Sequence, residues 1–186
     1  MGKGRIHSDH YHEATYSTSQ YSNLNRFAIL IASRINSKVQ GSRQQVKTTS
    51  FKSGAVVYDI PYFADDRGAL NVLEIAKELP FPCQRIFYTY AIPSGSVRGE
   101  HAHKKCHQFL ISVKGTTYCK VDDGEHVDEI ILDSPSKGLH LPPGRWAEQY
   151  NHSPDSVLIV LASEPYCNED YIRKYDDFVA WKRCKK

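Results

Sequence analysis

The chain has 186 residues, 40% of them hydrophobic, which is enough to bury one sizeable core and too few for two full domains. Its formal net charge is only +3, with Lys and Arg spread among Asp and Glu, so a basic surface for nucleic acid is not expected. No apolar run approaches the roughly 20 residues of a membrane span, and the best candidate, residues 27–32, is too short even for the core of a signal peptide. These features predict a cytoplasmic protein that binds neither nucleic acid nor a membrane.

A polar segment precedes the first strand-like run. Residues 1–54 are rich in Ser, Gln, Asn, Lys and Arg, and residues 27–33 form an apolar patch that suits a short helix or strand. We expect a flexible N-terminal extension. His7, His10 and His12 could bind a metal as a cluster, but a solvated tail is the commoner reading of such a composition, so no role is assigned to them.

From residue 55 onward, short β-branched and aromatic runs alternate with turn signals, which is typical of antiparallel strands in a sandwich or barrel. The runs cover residues 55–60, 85–92, 108–113, 117–121, 127–132, 138–141 and 157–162. Asp123-Gly124 separates two of them and favours a tight hairpin, since glycine adopts positive φ without a steric penalty. The predicted fold class is all-β, with one domain over residues 55–186.

Two segments point to helices. Residues 70–79 place apolar side chains at helical spacing but also fit a strand, so this segment stays open. After Asn168-Glu169-Asp170, which suits a helix N-cap and first turn, apolar side chains recur at helical spacing from Tyr171 to Val179. We expect a short C-terminal helix packed on the barrel.

The five cysteines are Cys83, Cys106, Cys119, Cys167 and Cys184. They are scattered, and no Cys-x-x-Cys pair or zinc-finger spacing occurs among them. We expect reduced thiols that mostly act as small apolar residues.

The residues with chemical potential concentrate between Gly95 and Gly115. His101 and His103 lie two residues apart, so on a strand both side chains project from the same face. Together with Gln108, their spacing resembles the first signature of the cupin superfamily, whose double-stranded β-helix usually holds a metal with two histidines and a glutamate. Two histidines can also serve as core filling, but two imidazoles on one face are costly to bury, so a functional site is favoured.

Two of the four cupin ligand positions lack a good donor. Gln108 replaces the carboxylate, and its neutral amide is a poorer ligand for a transition metal. Ala147 stands where the second cupin signature ends in histidine. Two imidazoles alone bind a divalent ion weakly, so we expect no metal and no cofactor. One alternative stays open: a shorter turn after His103 would point His107 inward instead of Gln108.

Further short motifs follow one another in a characteristic order. They are Asp65-Asp-Arg67-Gly68, Arg85-Ile-Phe-Tyr88, Arg98-Gly-Glu-His101-Ala-His103, Gln108-Phe-Leu-Ile, Asp122-Asp-Gly124, Leu132-Asp-Ser-Pro135, Trp146 and Glu169-Asp170-Tyr-Ile-Arg173. Over about residues 55–180 this series resembles the dTDP-sugar 3,4-ketoisomerases. The resemblance implies a small homodimeric cupin of the jelly-roll type that converts dTDP-4-keto-6-deoxyglucose to a 3-keto-6-deoxyhexose without a metal. Such products feed 3-amino-deoxysugars into bacterial surface glycans.

The resemblance also implies roles. A carbonyl shift between neighbouring carbons passes through an enediolate and needs groups that exchange protons near neutral pH, for which imidazole is well suited. His101 is the candidate base and His103 the proton donor or orienting partner, although the reverse order stays open. Tyr88 is the third catalytic candidate, as a hydrogen-bond donor to the developing oxyanion, with barrel filling as the alternative.

Substrate binding requires cations for the diphosphate and a surface for the base. The candidate contacts are Arg98, Arg67, Arg85, Gln108, Tyr90 and Trp146, with Arg145 as a further arginine inside a family-like motif.

Three rival functions remain: a sugar-nucleotide 3,5-epimerase, a metal-dependent cupin dioxygenase, and a noncatalytic sugar-nucleotide binder. The sequence leaves open the configuration at C4 of the product and the preference for thymidine over uridine.

Overall fold

The computed structural model describes residues 46–185, which form antiparallel sheets and two short helices. The strands are β1 Thr48–Ser50, β2 Val56–Asp59, β3 Tyr62–Asp65, β4 Gly68–Asn71, β5 Arg85–Tyr90, β6 Arg98–His103, β7 Gln108–Lys114, β8 Thr117–Asp122, β9 Val127–Leu132, β10 Lys137–Leu141, β11 Trp146–Tyr150, β12 Val157–Ala162 and β13 Tyr171–Ile172. The helices are α1 Ile75–Glu78 and α2 Tyr175–Arg183, and a 3-10 turn covers Asn168–Asp170.

The strands form two facing sheets and a separate hairpin. The six-stranded sheet has the order β1-β2-β10-β7-β12-β5, and the five-stranded sheet has the order β13-β6-β11-β8-β9. Among the strands of residues 46–185, β3 and β4 pair only with each other. All these pairings are antiparallel, as the spacing of runs and turns predicted.

The main core lies between the two sheets. It combines Leu110 and Leu158 of the six-stranded sheet with Val121 and Ile130 of the five-stranded sheet, all buried. Side chains alternate along each strand, so the neighbours of these residues point away from this core. Burial of apolar side chains on the two inner faces therefore holds the sheets together.

A second apolar layer covers the outer face of the six-stranded sheet. Phe109 and Leu161, which alternate with inward-facing residues, pack there against Leu79 and Phe81. The ambiguous segment 70–79 contributes both kinds of structure: its first two residues end β4, and Ile75–Glu78 form the single turn of α1. Its helical period thus extends over one turn only.

The C-terminal helix packs on the five-stranded sheet as predicted, with Phe178 fully buried against Ala102, Trp146 and Ile172. Its predicted start was wrong by several residues. Tyr171 and Ile172 form β13 opposite His103 and Ala102, and α2 begins at Tyr175. Pairing with the edge of β6 gives hydrogen-bond partners to the backbone of Tyr171 and Ile172 before the helix begins.

The N-terminal part of the chain lies mostly outside the described residues, including His7, His10, His12 and the apolar patch at 27–33. Within the predicted extension, residues 48–50 form β1, which pairs with β2. The predicted boundary at residue 55 therefore falls inside the six-stranded sheet. Among residues 46–185, no helix is long and apolar enough to cross a membrane.

Candidate active site

A pocket opens at one end of the space between the two sheets. Its lining consists of His101, His103, Cys106, Gln108, Leu141, Pro142, Arg145, Ala147 and Gln149. The histidines come from β6, and the two glutamines come from β7 and β11. Polar side chains thus replace the aliphatic core at this end, where they can contact a ligand.

A bulge in β6 positions His101. The pairing with β11 shifts register between Ala147 and Glu148, and both Gly99 and Glu100 adopt positive φ, +82° and +53°. This turn brings the carbonyl oxygen of Gly99 to 2.8 Å from His101 Nδ1. A carbonyl only accepts, so Nδ1 carries the proton and donates it, and Nε2 keeps a free lone pair. Among the described residues, none hydrogen-bonds to that Nε2.

His103 belongs to a buried pair with Asp170. Its Nδ1 lies 2.6 Å from Asp170 Oδ2, and Oδ1 of the same carboxylate accepts the backbone N–H of Lys105 at 2.7 Å. The backbone N–H of Cys106 also donates to Asp170, at 3.3 Å. The carboxylate is therefore fixed by the main chain and in turn fixes the orientation of the imidazole.

Gln108 completes the hydrogen bonds of His103. Its Nε2 lies 3.1 Å from His103 Nε2, and since His103 Nδ1 donates to Asp170, the amide N–H must donate to His103 Nε2. This observation answers the open question about register. Gln108 faces the pocket, whereas His107 lies against His140, with 3.0 Å between their ring nitrogens.

Burial favours the neutral form of both pocket histidines. Burial lowers the pKa of His101, against a raising effect of its hydrogen bond to Gly99. Burial also lowers the pKa of His103 to about 4, although the hydrogen bond to Asp170 acts in the opposite direction. Burial acts to raise the pKa of Asp170, but the hydrogen bonds from His103 and the backbone outweigh it and hold this pKa below its usual value. The site therefore offers neutral imidazole bases beside an ionised carboxylate.

Tyr171 and Arg173 border the two imidazoles. The Tyr171 ring lies 4.9 Å from the His101 ring and 4.3 Å from the His103 ring, and the Arg173 guanidinium stacks over Tyr171 at 4.2 Å. The Tyr166 ring lies 5.5 Å from that of Tyr171 and is exposed. An aromatic and cationic surface thus extends from the histidines to solvent.

Arg85 lies on the inward face of β5. Its guanidinium stands 5.2 Å from the Phe87 ring and 5.8 Å from the Tyr166 ring, and its charge contributes to lowering the pKa of His103. Its Nε is buried without a hydrogen-bond partner among the described residues. Because a buried unpaired N–H is costly, Arg85 is suited to an anionic ligand.

Comparison with known proteins places the chain in a family. Residues 53–183 match the family model FdtA, described as WxcM-like, C-terminal. The chain belongs to this family.

Relatives of known activity agree with this assignment. A TDP-4-oxo-6-deoxy-alpha-D-glucose-3,4-oxoisomerase from Aneurinibacillus thermoaerophilus is 43% identical over 114 residues, 61% of this chain and 82% of the relative. A 3,4-ketoisomerase from Helicobacter canadensis is 37% identical, with a TM-score of 0.67 over 69% of this chain and 97% of its own. The sugar 3,4-ketoisomerase QdtA from Thermoanaerobacterium thermosaccharolyticum, solved in complex with TDP, is 32% identical, with a TM-score of 0.70 over 73% and 98% of the two chains. The predicted family, cupin fold and isomerase class are thereby confirmed.

Not every predicted site residue of this FdtA-family chain reaches the pocket. Alternation along β5 turns Arg85 and Phe87 inward and leaves Tyr88 and Tyr90 on the outer face, 62% and 64% exposed. Within one chain, therefore, neither tyrosine lies in the pocket, and the structure does not support the expected oxyanion contact of Tyr88.

Three other predicted contacts also lie elsewhere. Arg67 is exposed at the tip of the β3–β4 hairpin and pairs with Asp65. Arg98 is exposed at the start of β6. Trp146 is 5% exposed beneath α2 and donates its indole N–H to Glu148, because its neighbour Ala147 takes the inward position. The indole is therefore not available to stack on a base.

The donor set does not fit the usual cupin metal site. Of the four equivalent positions, Ala147 offers no donor, and Gln108 presents an amide N–H to His103. Two imidazoles and a neutral amide are a poor set for a catalytic transition metal.

Several residues of the site were not predicted from the sequence. Gln149 and Cys106 line the pocket, and Asp170 orients His103. In the sequence Asp170 fits a helix cap, and only its place inside a family-like motif indicates another role. Gln149 carried a signal in principle, since it lies two residues after Ala147 and so shares its face of β11.

Proposed function

We propose that the protein converts dTDP-4-keto-6-deoxyglucose to a dTDP-3-keto-6-deoxyhexose by histidine acid/base catalysis. The observation that carries the proposal is the pair of imidazoles that line the pocket from one strand face, 4.9 Å apart, with His101 Nδ1 bound to Gly99 so that Nε2 is the basic atom. The names of the relatives supply the substrate class. No redox cofactor is required, since the reaction only relocates two protons and one carbonyl.

His101 acts as the carbon base. Its Nε2 removes the proton from C3, and the electron pair of that bond forms a C3–C4 double bond while charge develops on the C4 oxygen. The resulting imidazolium then returns a proton to C4, and the carbonyl re-forms at C3. This assignment rests on the proton at Nδ1, which the Gly99 carbonyl fixes and which leaves Nε2 as the basic atom.

His103 transfers the proton between the substrate oxygens at C3 and C4. When substrate binds, the C3 hydroxyl takes the place of the Gln108 N–H at His103 Nε2. This nitrogen then accepts the hydroxyl proton and delivers it to the C4 oxygen, so the enediolate is neutralised without net proton uptake. The Asp170 carboxylate stabilises the imidazolium that forms during this transfer. The Gln108 amide, which lines the pocket, is the proposed hydrogen-bond donor to the oxyanion.

Arg85 is the proposed contact to the diphosphate. Its guanidinium Nε has no partner among residues 46–185, and burial makes an anionic partner more valuable than it would be at the surface. Next to Arg85 lies the exposed ring of Tyr166, followed by Tyr171 with the Arg173 guanidinium stacked on it. This aromatic surface suits the binding of the nucleoside. The 3-keto product would be the electrophile for transfer of an amino group, in line with deoxyaminosugar synthesis.

We further infer a homodimer. Edge strand β5 leaves Ile86, Tyr88 and Tyr90 exposed on one face, and the β3–β4 hairpin exposes Tyr62 and Leu70. Exposed aromatic side chains on an edge strand favour cover by another chain, and the resemblance to homodimeric enzymes makes a second copy the expected occupant. Light scattering would show twice the mass of the chain, and a monomer at micromolar concentration would contradict the inference.

The decisive experiment follows proton exchange by NMR in D₂O, using chelator-treated full-length protein and dTDP-4-keto-6-deoxyglucose. We expect a 3-keto species with deuterium at the carbon that becomes protonated. His101→Asn should abolish exchange while nucleotide binding persists. His126→Asn, which changes an exposed histidine outside the pocket, is the matched control and should leave turnover intact.

Other outcomes separate the rival functions. Exchange at C5 without a new 3-keto species would indicate a 3,5-epimerase. Binding without exchange would indicate a noncatalytic binder, and loss of turnover after chelation that metal restores would indicate a metal-dependent enzyme. Each of these results would overturn the proposal.

A further inference from the structure

Three buried donor groups meet on the side of His103 that faces away from Gln108. His103 ends β6, Cys106 lies in the turn toward β7, and Asp170 ends the 3-10 turn before β13. One ligand atom from each lies within 4.8 Å of the others. The segments are held together by the pairing of β13 with β6 and by the backbone N–H groups of Lys105 and Cys106 on the Asp170 carboxylate.

We propose that His103 Nδ1, Cys106 Sγ and the Asp170 carboxylate form a binding site for a soft divalent cation such as Zn²⁺, and that its occupation inhibits the enzyme. Nitrogen, sulfur and oxygen donors are the set that Zn²⁺ uses in proteins, and three protein ligands leave a fourth position for water. The site is distinct from the cupin ligand positions, because it uses the opposite nitrogen of His103 and neither His101 nor Gln108.

The charges of this set balance. A thiolate and a carboxylate supply two negative charges against the two positive charges of the cation, with the imidazole neutral. A charge can be buried at low cost only when an opposite charge compensates it. Because all three side chains are buried, this neutral sum favours binding of the cation. The cation would replace the proton that now bridges His103 and Asp170.

Metal binding changes the position of two protons. When the metal binds Nδ1 of His103, the proton of that nitrogen moves to Nε2. Gln108 now donates to Nε2, and rotation of its amide would let the carbonyl oxygen accept from it instead. The thiol of Cys106, which donates to the His107 carbonyl at 3.3 Å, releases its proton to solvent. Binding therefore releases one proton in total.

Inhibition follows from the shift of the proton to Nε2. With the metal on one nitrogen and the proton on the other, His103 can no longer accept the proton of a substrate hydroxyl. This consequence rests on the proposed function of His103, whereas the binding of the metal does not. Mg²⁺ should not bind, since it prefers octahedral oxygen ligands.

Cobalt gives a direct test. The chelator-treated full-length protein is titrated with Co²⁺, which we expect to produce a thiolate-to-cobalt charge-transfer band that Zn²⁺ abolishes at stoichiometric amounts. Cys106→Ser should remove the band and weaken Zn²⁺ binding by more than the roughly 10–100-fold that loss of an outer-shell partner costs. Cys119→Ser is the matched control, because burial raises the pKa of the Cys119 thiol to about 12 and the side chain lies in the core away from the cluster.

The outcomes are distinct. Absence of the band, or equal Zn²⁺ affinity of the two serine variants, would overturn the site, for example if the cation bound His7, His10 and His12 instead. In the wild-type protein, turnover should fall in proportion to occupancy, and full turnover at full occupancy would overturn the inhibition. If the band appears but no isomerisation is ever observed, the metal site stands and the proposed function fails.

Discussion

At the scale of single residues, Asp170 shows how a site acquires a member that sequence patterns do not reveal. It lies 67 positions after His103, yet the two side chains are 2.6 Å apart. The contact depends on the pairing of β13 with β6, which places Tyr171 opposite His103. His101 and His103 were predictable because a separation of two residues fixes a common face on a strand, but no local rule joins Asp170 to them.

Replacing Asp170 tests its role as a positioning residue. In Asp170→Asn the side-chain amide can no longer accept from His103 Nδ1 without rotating, so the wrong imidazole tautomer is favoured. We expect kcat to fall by up to about 10⁴-fold, the loss seen when the carboxylate of a catalytic triad becomes an amide, with little change in KM. Steady-state kinetics and ¹⁵N NMR of the histidine tautomers would measure both effects.

The control for this variant is Asp176→Asn, which changes an exposed carboxylate in the first turn of α2. It should keep wild-type kinetics. A wild-type kcat and an unchanged tautomer in Asp170→Asn would show that the carboxylate only supports the fold.

At the scale of elements, a bulge in β6 orients the catalytic candidate His101. The bulge at Gly99 and Glu100 turns the Gly99 carbonyl toward His101 and so sets the tautomer of the base. A Cβ at Gly99 would lie 2.6 Å from the carbonyl oxygen of Ala147, at a φ of +82°. Both the conformation and the space at this position therefore require glycine.

Gly99→Ala should consequently destabilise the fold and reduce turnover. We expect a loss of about 1–3 kcal/mol from backbone strain, together with further loss from the collision with β11. Gly95→Ala is the matched control, because Gly95 also has positive φ, +79°, but its added Cβ would meet no atom within 4 Å. Urea denaturation of both variants measures the difference, and equal losses of stability would contradict the steric argument.

The alternation of side chains along β5 does not by itself show which face of the strand turns inward. The sequence shows that Arg85 and Phe87 share one face and that Tyr88 and Tyr90 share the other. Which face turns inward depends on the packing of Phe87 against the main core. Both faces carry aromatic residues, so hydrophobicity alone could not decide between them.

At the scale of the whole domain, several buried histidines make stability depend on pH. Burial lowers the pKa of His103 and of His140 to about 4, from an ordinary value of 6.5, and the neighbouring His107 also lowers the pKa of His140. Between these values the unfolded chain binds more protons than the folded one. The free energy of unfolding should therefore fall as the pH decreases from about 6.5 to about 4.

Replacing His140 tests this dependence away from the pocket. The variant His140→Gln should show a shallower loss of stability over the same interval, because one proton-binding group is removed from the unfolded chain. Urea denaturation at a series of pH values measures the slope. A slope equal to that of the wild-type protein would show that His140 does not contribute to the pH dependence.

The sequence by itself determined the antiparallel β architecture, the common face of His101 and His103, and the resemblance to ketoisomerases. These properties depend on short spacings and on local turn chemistry, both of which involve residues that are close together in the chain. Only the tertiary structure decided that Asp170 holds His103, that Gly99 fixes His101, and that Trp146 lies beneath α2 instead of in the pocket. Such contacts join residues far apart in the chain, and they follow from sheet pairing and from competition for buried space, which no single segment specifies.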